Sequence, residues 1–353
     1  MTDILIIGTG ALATLFAARL ASSGQRVTML GTWPDGLSAL RQNGVRMMDA
    51  NGDEQIFSVH ATDDPNECRG AKAAIVLVKS WQTERAAHQL KECLSDDGLA
   101  ITLQNGLGNR EILAKHLDGS FTTLVPAPSA GRDAESTEKR KLKNSVISVS
   151  SAASHRRTFG VRGTNGVVKK SSRVVLGTTT TGATLLGPGL VKAGGDGIIS
   201  MEAHPALGPI EEALKSANFK VEVVDDARSL VWSKLIINAA INPLTALLRV
   251  PNGELLKRPA ARELMRTLAQ EAASVASAEK ITLRFRDPTA AVEEVARRTA
   301  ANHSSMLQDI QRGAPTEIDA ICGAVTRIGK QHHIPTPINY ACWQLILALT
   351  PGE

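Results

Sequence analysis

The chain has 353 residues, of which 43% are hydrophobic and 3% aromatic, with four cysteines and a formal net charge of +5. This length is enough for two domains with their own cores, and the scarcity of aromatic side chains argues against a nucleic-acid partner. Apolar runs are short and a strand is predicted from residue 4, so we expect neither a membrane span nor a cleavable signal. The widely spaced cysteines predict free thiols in a reducing, cytoplasmic compartment.

The first thirty residues read as strand, glycine turn, helix and strand. An apolar run from Ile4 leads into Gly8-Thr-Gly10-Ala-Leu-Ala13, and a second apolar run covers 26–30. Gly8 permits a tight turn, and Gly10 lets the backbone approach a pyrophosphate at the helix N-terminus. Ala13 replaces the third glycine of the pattern and is still small. We predict a dinucleotide-binding turn, with an ordinary glycine-containing turn as the alternative.

Two further buried strands are predicted over 73–78 and 99–103, each followed by a helix. Ligands of open α/β sheets bind beyond the carboxyl ends of the strands. Lys79 and Asn105 fall at these ends, so both are candidates to face a cofactor or substrate. The alternatives are a solvated loop charge for Lys79 and a turn-forming role for Asn105.

A basic, Ser-, Lys- and Arg-rich segment runs from about 126 to 172. Residues 132–173 hold eleven Lys/Arg against three Asp/Glu, an excess of +8, so the remainder of the chain carries about −3. Such a composition buries too little apolar surface to offset its ordering entropy. We expect a disordered insertion at about 120–172, with a basic arm for nucleic acid or membrane and a non-native segment as alternatives.

After this segment, strands are predicted near 173–180, 182–186 and 198–200 as an antiparallel extension of the sheet, then a helix over 205–217 and a strand over 220–224. The rest shows helical periodicity. The predicted helices cover 228–248, 258–280, 288–311, 316–331 and 336–349. We therefore predict an α/β domain over 1–226, an all-α domain over 227–353 and a ligand cleft between them.

Three polar residues, Lys234, Asn238 and Asn242, are spaced four apart in an otherwise apolar run. Each step of four turns a helix only ~40° beyond one revolution, so they form one stripe. Polar groups buried without partners cost roughly 1–3 kcal/mol each. The partner is either a bound substrate or the backbone of neighbouring elements.

With these motifs in hand, the chain resembles the ketopantoate reductase (2-dehydropantoate 2-reductase) family over both halves, except across about 120–172. The likeness is carried in order by the glycine turn and by motifs that begin at Val78, Gln104, Gly177, Trp232, Asn252, Ser304 and Pro315. It implies a Rossmann-type NADP-binding domain, then an all-helical domain like the C-terminal domain of 6-phosphogluconate dehydrogenase. It also implies NADPH-dependent reduction of 2-dehydropantoate to (R)-pantoate, in a monomer or homodimer without nucleic-acid or membrane partners.

The resemblance also implies roles for individual residues. Catalysis falls to Lys234, as general acid, and Glu317. Substrate binding falls to Asn238, Asn242, Ser305 and Asn105. Cofactor binding falls to Gly8, Thr9, Gly10, Ala11, Leu12, Ala13, Lys79, Gln82, Asn105 and Glu317.

The chemistry explains these residue types. Hydride addition to a ketone leaves an alkoxide, which a lysine ammonium can stabilise and protonate. A nearby carboxylate favours the charged lysine, although Glu317 is also suited to capping a helix after Thr316. No metal is required, and we expect no metal-ligand cluster from the sequence.

One departure concerns the cofactor phosphate. Many relatives carry an arginine just after the second strand to pair with the 2′-phosphate of NADP, whereas this chain continues Gly31-Thr-Trp-Pro34. The acidic residue typical of NAD binding is absent there as well. Thr32, Gln82 or Arg41 are the candidates for the phosphate contact. Two alternatives to the predicted activity are reduction of another 2-keto acid and an inactive dinucleotide-binding sensor.

Overall fold

The structure, a computed structural model, describes residues 3–49, 51–119 and 172–350. The predicted insertion therefore lies outside the described residues apart from Ser172. All described residues belong to one compact unit.

The strands fall into two sheets. Their bounds are β1 Asp3–Ile7, β2 Arg26–Leu30, β3 Val45–Met48, β4 Glu54–Phe57, β5 His60–Thr62, β6 Ala71–Val76, β7 Leu94–Thr102, β8 Val174–Thr179, β9 Ala183–Gly187, β10 Leu190–Ala193, β11 Ile198–Glu202 and β12 Lys220–Val224. The large sheet has the order β12-β11-β8-β7-β6-β1-β2-β5, and the small one β4-β3-β10-β9. From β8 to β5 every pairing is parallel, so these strands point their carboxyl ends to one edge.

The helices alternate with the first strands, and from residue 228 onward the elements of the described chain are helical. Their bounds are α1 Ala11–Ser22, α2 Pro34–Asn43, α3 Thr83–Cys93, α4 Asn109–Leu117, α5 Gly208–Ser216, α6 Arg228–Leu248, α7 Glu254–Lys257, α8 Pro259–Ala278, α9 Pro288–Arg298, α10 Ser305–Gln311, α11 Ala324–Gln331 and α12 Pro337–Leu349. Short 3-10 turns cover Pro65–Cys68 and Ser80–Gln82, and a π-helical turn covers Asp319–Gly323. The predicted fold class, an α/β half followed by an all-helical half, is confirmed.

Burial explains why each half holds together. The two faces of the large sheet are covered by separate apolar clusters, one around Phe16 of α1 and the other around Leu90 of α3. In the helical half, α6 is the central element and packs its apolar residues against α8, α9, α10 and α12. All four cysteines are buried free thiols, as expected.

Helix α6 is long and apolar enough to cross a membrane by length and composition, but 72% of its most apolar window is buried inside the protein. Burial to this extent is expected of an apolar helix that lies in the core of a domain. One such helix is weak evidence for a membrane span.

Three predictions about local structure are wrong in part. The predicted helix 288–311 is two helices, because the chain turns after α9 and Ser304 begins α10 by accepting a hydrogen bond from the Leu307 amide. The predicted helix 316–331 begins instead as the π-helical turn. The predicted antiparallel extension holds for β11 against β8. In contrast, β9 and β10 leave the large sheet: β10 pairs with β3 and β9 pairs with β10, which no local pattern indicates.

The helical half is docked on the sheet by a close backbone approach. The Leu107 amide donates a hydrogen bond to the Ala320 carbonyl at 3.0 Å. Gly106, with φ +82°, lies so near that an added Cβ would be 2.6 Å from the Cβ and oxygen of Ala320. Only glycine permits both the positive φ and this contact. The loop after β7 and the π-helical turn are therefore pressed together.

The chain segments on either side of 120–171 are tied directly to each other. The Asp118 carboxylate accepts hydrogen bonds from the Arg173 amide at 2.9 Å and from the Ser172 hydroxyl at 2.7 Å. The Arg173 guanidinium in turn donates to four carbonyls, those of Leu94, Ser95, Gly98 and Leu117. Strand β8 is thus anchored independently of whatever connects it to α4.

We predict that replacing residues 122–170 by a short Gly/Ser linker leaves the fold and the activity of the protein intact. Asp118 and Ser172, the described residues that flank this segment, already lie side by side, so a shorter connection requires no rearrangement of them and reduces the entropic cost of closing the loop. Thermal unfolding should show a Tm equal to or above that of the full chain. An Asp118→Ala variant of the full chain, which keeps the segment but loses the tie, should show the lower Tm. An insoluble or inactive deletion variant would show that the segment is required for folding.

Candidate functional site

A cavity of about 910 Å³ lies at the carboxyl ends of the parallel strands. Its walls come from the glycine turn before α1, from the segments after β2, β6, β7 and β8, and from α6, α10 and the loop that follows α10. A volume of this size suits a cofactor together with a small substrate. The location is the one that an open parallel sheet offers to a ligand.

The glycine turn leaves room for an anion at the N-terminus of α1. Gly8 has φ +125°, and an added Cβ would lie 3.2 Å from the Val78 side chain. Gly10 is the N-cap of α1 with no side-chain capping bond, and an added Cβ there would meet nothing within 4 Å. No side chain caps the free amides of the first turn, this turn contains no acidic residue, and Gly10, Ala11 and Leu12 line the cavity. This arrangement fits a pyrophosphate, which these amides and the helix dipole would bind.

The Glu317 carboxylate joins the two halves of the protein. It is 5% exposed and accepts hydrogen bonds from the Ser80 amide at 3.2 Å and from Asn105 Nδ2 at 3.0 Å. Lys79 Nζ lies 3.8 Å from the same carboxylate. Its partners come from the ends of β6 and β7, whereas Glu317 itself precedes the π-helical turn. Such turns are common at functional sites because they re-aim side chains.

Lys234 extends from α6 into the cavity. Its Nζ donates a hydrogen bond to the Thr179 carbonyl, at the end of β8, at 2.6 Å. Burial lowers the pKa of Lys234 to about 8, and the negative charge of Glu317 acts in the opposite direction. A lysine with this pKa is mostly protonated near neutral pH yet releases its proton more readily than an exposed one.

A second ion pair crosses between the halves beside Glu317. Lys79 Nζ is 2.7 Å from Oδ2 of Asp309 on α10, whose side chain is 3% exposed. The other carboxylate oxygen of Asp309 accepts from Arg312 at 2.7 Å. The buried carboxylate is therefore satisfied by two cations, and α10 is fixed against the end of β6.

Buried amides hold the loop that carries Asn105. Gln104 Nε2 donates to the Val78 carbonyl at 3.0 Å and to the Thr83 hydroxyl at 2.8 Å. That hydroxyl donates to Asn109 Oδ1 at 2.7 Å, and Asn109 Nδ2 donates to the Asn105 carbonyl at 2.9 Å. These bonds connect the segment after β6 with the segment after β7, so the groups that meet Glu317 are preorganised.

The structure gathers most of the residues predicted for the site, but not all. The residues that line the one cavity are Gly8, Thr9, Gly10, Ala11, Leu12, Lys79, Gln82, Asn105, Lys234, Ser305 and Glu317. Within the described parts of the chain, Lys234 is the only residue of α6 in that lining. Asn238 is partly exposed and Asn242 is 6% exposed, and neither is among the lining residues; Ala13 is fully buried. The polar stripe of α6 thus meets the cavity only at its first member.

A smaller pocket of about 250 Å³ adjoins the cavity at the end of β2. Thr32 lines both, and Ser38 and Arg41 of α2 line the pocket with Asp63. The Arg41 guanidinium donates to the Ala61 carbonyl at 2.8 Å and to Asp63 Oδ1 at 2.5 Å. Arg41, the basic candidate for the phosphate contact, is therefore already paired with a carboxylate.

Thr179 and Asp309 are among the residues of the site that were not predicted from the sequence. Thr179 acts through its backbone carbonyl, which no residue type reveals. Asp309 follows Ser305 by four positions, which places both on one face of a helix. That spacing was a signal available in the sequence.

Comparison of this chain with known protein families and related sequences agrees with the geometry of the site. The family described as "Ketopantoate reductase PanE/ApbA" matches residues 4–135, and "Ketopantoate reductase PanE/ApbA C terminal" matches 226–350. A 2-dehydropantoate 2-reductase of Archaeoglobus fulgidus is 31% identical over 349 residues, which are 99% of this chain and 98% of that protein. The corresponding protein of Halobacterium salinarum is 28% identical over 341 residues, covering 95% and 94%.

Solved structures show the same fold. A PanE/ApbA family ketopantoate reductase from Ralstonia eutropha JMP134 superposes with a TM-score of 0.79 at 25% identity, covering 99% of this chain and 98% of that one. D-mandelate dehydrogenase with NADH and anilino(oxo)acetate superposes with a TM-score of 0.78 at 22% identity and the same coverage, a likeness of fold alone. The matched domains and the full-length relatives lead to one conclusion: this chain belongs to the ketopantoate reductase family of oxidoreductases.

Proposed function

We propose that the protein catalyses the NADPH-dependent reduction of 2-dehydropantoate to (R)-pantoate, a step toward pantothenate and coenzyme A. The observation that carries the proposal is the shared cavity, which Lys234, Glu317, Asn105 and Ser305 line together with the glycine turn. The reductases of Archaeoglobus fulgidus and Halobacterium salinarum, similar along their whole length, support the choice of substrate.

The bound dinucleotide would supply the hydride. The amides at the start of α1 would hold its pyrophosphate, as the open space above Gly10 allows. Lys79, Gln82 and Asn105, at the ends of the next strands, would bound the nicotinamide end of the cavity. We assign the division of labour accordingly, with 1–226 as the NADP-binding domain and 227–353 as the substrate domain.

Lys234 acts as the general acid in this proposal. The Thr179 carbonyl fixes the direction of its ammonium, so the remaining N–H bonds can point at a substrate oxygen. As negative charge grows on that oxygen, the ammonium stabilises it and then transfers a proton from Nζ. Glu317, held by Ser80 and Asn105, favours the charged form of Lys234 in the ground state.

The polar groups around Lys234 would hold the substrate carboxylate and hydroxyl without adding charge. Ser305 and Asn105 line the cavity and are the nearest candidates. Asn238 follows Lys234 by one helical turn and Asn242 by two, and we retain both as proposed substrate contacts. We further propose that the enzyme works in the cytoplasm as a monomer or homodimer without nucleic-acid or membrane partners.

Lys234→Ala should lower kcat by about 10²–10⁴-fold, because the variant lacks the proton donor. Cofactor affinity, measured by NADPH fluorescence titration, should remain. In the unchanged enzyme kcat should be level below pH ~8 and fall above it, since the lysine must be protonated to act and burial lowers its pKa to about 8. The assay follows NADPH absorbance with 2-dehydropantoate as substrate.

Lys330→Ala, which removes an exposed lysine on α11, serves as the matched control and should keep full turnover. Unchanged kcat in Lys234→Ala would remove that residue from catalysis. If another 2-keto acid is turned over far better than 2-dehydropantoate, the related-reductase alternative is correct. NADPH binding with no turnover of any 2-keto acid would favour the inactive sensor.

Cofactor preference is tested at Arg41. We expect kcat/KM to be higher with NADPH than with NADH, and Arg41→Ala to reduce the NADPH value about tenfold, since a hydrogen bond to a charged group contributes about 1.5–3 kcal/mol. The NADH value should stay within about twofold, because NADH has no 2′-phosphate to lose a contact.

Arg26→Ala is the control for this variant, since Arg26 lies at the opposite end of β2 and is likewise paired with a carboxylate, that of Asp3. Equal losses with both cofactors in Arg41→Ala would mean that Arg41 serves only to hold Asp63 and α2. A preference of the unchanged enzyme for NADH would refute the NADPH assignment while leaving the family intact.

A further inference from the structure

Three side chains of metal-ligand type converge on the outer surface of α3 and α4, away from the cavity lining. Glu84 and His88 lie one helical turn apart on α3, and His116 lies in the last turn of α4. The distance from His116 Nε2 to Glu84 Oε1 is 2.8 Å, and the two imidazole rings are edge-to-face with centroids 4.4 Å apart. One ligand atom from each residue lies within 4.8 Å of the other two.

We propose that Glu84, His88 and His116 bind a zinc ion that links α3 to α4. Two imidazoles and one carboxylate, without thiolates, form a donor set that suits Zn²⁺ and excludes hard cations such as Mg²⁺. Tetrahedral zinc with bonds of about 2.0–2.1 Å requires ligand atoms about 3.3 Å apart. The three atoms reach this separation through small side-chain rotations, and solvent supplies the fourth ligand.

The surroundings of the three residues permit such rotations. Glu84 and His88 are exposed, whereas the His116 side chain is only 12% exposed and so provides a fixed ligand. The Glu84 carboxylate is already directed at His116, with 2.8 Å between Oε1 and Nε2. Lys115 adds a positive charge near this carboxylate, which opposes cation binding.

Other histidine–carboxylate pairs in the described chain lack the third ligand. His60 is hydrogen-bonded to Glu67 at 2.8 Å, in a contact of the same length as that of His116 with Glu84. Across residues 3–49, 51–119 and 172–350, the cluster at Glu84 is the only one in which three candidate ligands meet. The His60 pair is therefore a matched control for the effect of the second imidazole.

Zinc at this position would strengthen one wall of the cavity without taking part in the reaction. The N-terminal ends of α3 and α4 are joined by the hydrogen bond from Thr83 to Asn109. A metal between Glu84, His88 and His116 would add a second link one turn further along α3 and at the far end of α4. Helix α4 would then be held to the first half of α3 at both of its ends, near Asn109 and near His116.

The test is isothermal titration of the tag-free full chain with ZnCl₂ in metal-depleted buffer, together with thermal unfolding. We expect one zinc per chain and a rise in Tm of several degrees. His88→Ala and His116→Ala should each lose at least about tenfold in affinity and lose the rise in Tm. His60→Ala should retain both. Because His88 is exposed, its loss leaves the fold intact, which the Tm without zinc will verify.

Cobalt gives an independent reading of the geometry. Co²⁺ in place of zinc should produce the visible absorption of a tetrahedral site in the unchanged protein and in His60→Ala, but not in His88→Ala. No zinc binding by the unchanged protein would overturn the proposal. Binding that persists at full stoichiometry and affinity in His88→Ala would overturn it as well, since the metal would then lie elsewhere.

Discussion

The buried Glu317 carboxylate is the interaction on which the site depends. A carboxylate that is 5% exposed must find hydrogen-bond donors, because burying it without them costs several kcal/mol. Its donors, the Ser80 amide and the Asn105 side chain, belong to the ends of two neighbouring parallel strands. Satisfying this one group therefore brings the helical half over the carboxyl edge of the sheet, and the cavity is the space that remains. Gly106 is needed for the same reason, since any side chain there would push the two halves apart.

Two opposing effects set the pKa of Lys234 and so its suitability as a general acid. Removal from water disfavours the ammonium and lowers its pKa, while the negative charge of Glu317 favours it. Desolvation is the larger effect, and the pKa settles near 8. A lysine that lost the carboxylate would approach neutrality under physiological conditions and lose its charge for the developing alkoxide. A fully solvated lysine would keep the charge but part with the proton reluctantly.

Much of this architecture could be read from the sequence, and the reasons are local. The strand–turn–helix start, the apolar strands that end at Lys79 and Asn105, and the helix at 228–248 each carry their pattern in consecutive residues.

Other features could not be predicted, because they depend on contacts between distant parts of the chain. The placement of β9 and β10 in a second sheet depends on the pairing of β10 with β3, more than a hundred residues away. The break before Ser304 depends on a single capping bond, and apolar periodicity continues across it. Whether Asn238 and Asn242 line the cavity depends on where α6 crosses the edge of the sheet, which is a property of the tertiary structure. Likewise, Glu84 and His88 show helical spacing, but His116 joins them only because α3 packs against α4.

The tie between Asp118 and Arg173 has a consequence for how this chain tolerates change. The chain enters β8 at its amino end, whereas the reacting groups gather at the carboxyl ends of the strands, a full strand length away. We therefore expect residues added between these anchored points to alter neither the register of β8 nor the Thr179 carbonyl that directs Lys234. Changes in the length of this connection would then not affect turnover and would not be removed by selection for it. The chain could therefore become longer at this junction by genetic drift during evolution. The same junction is a suitable insertion site for a reporter domain.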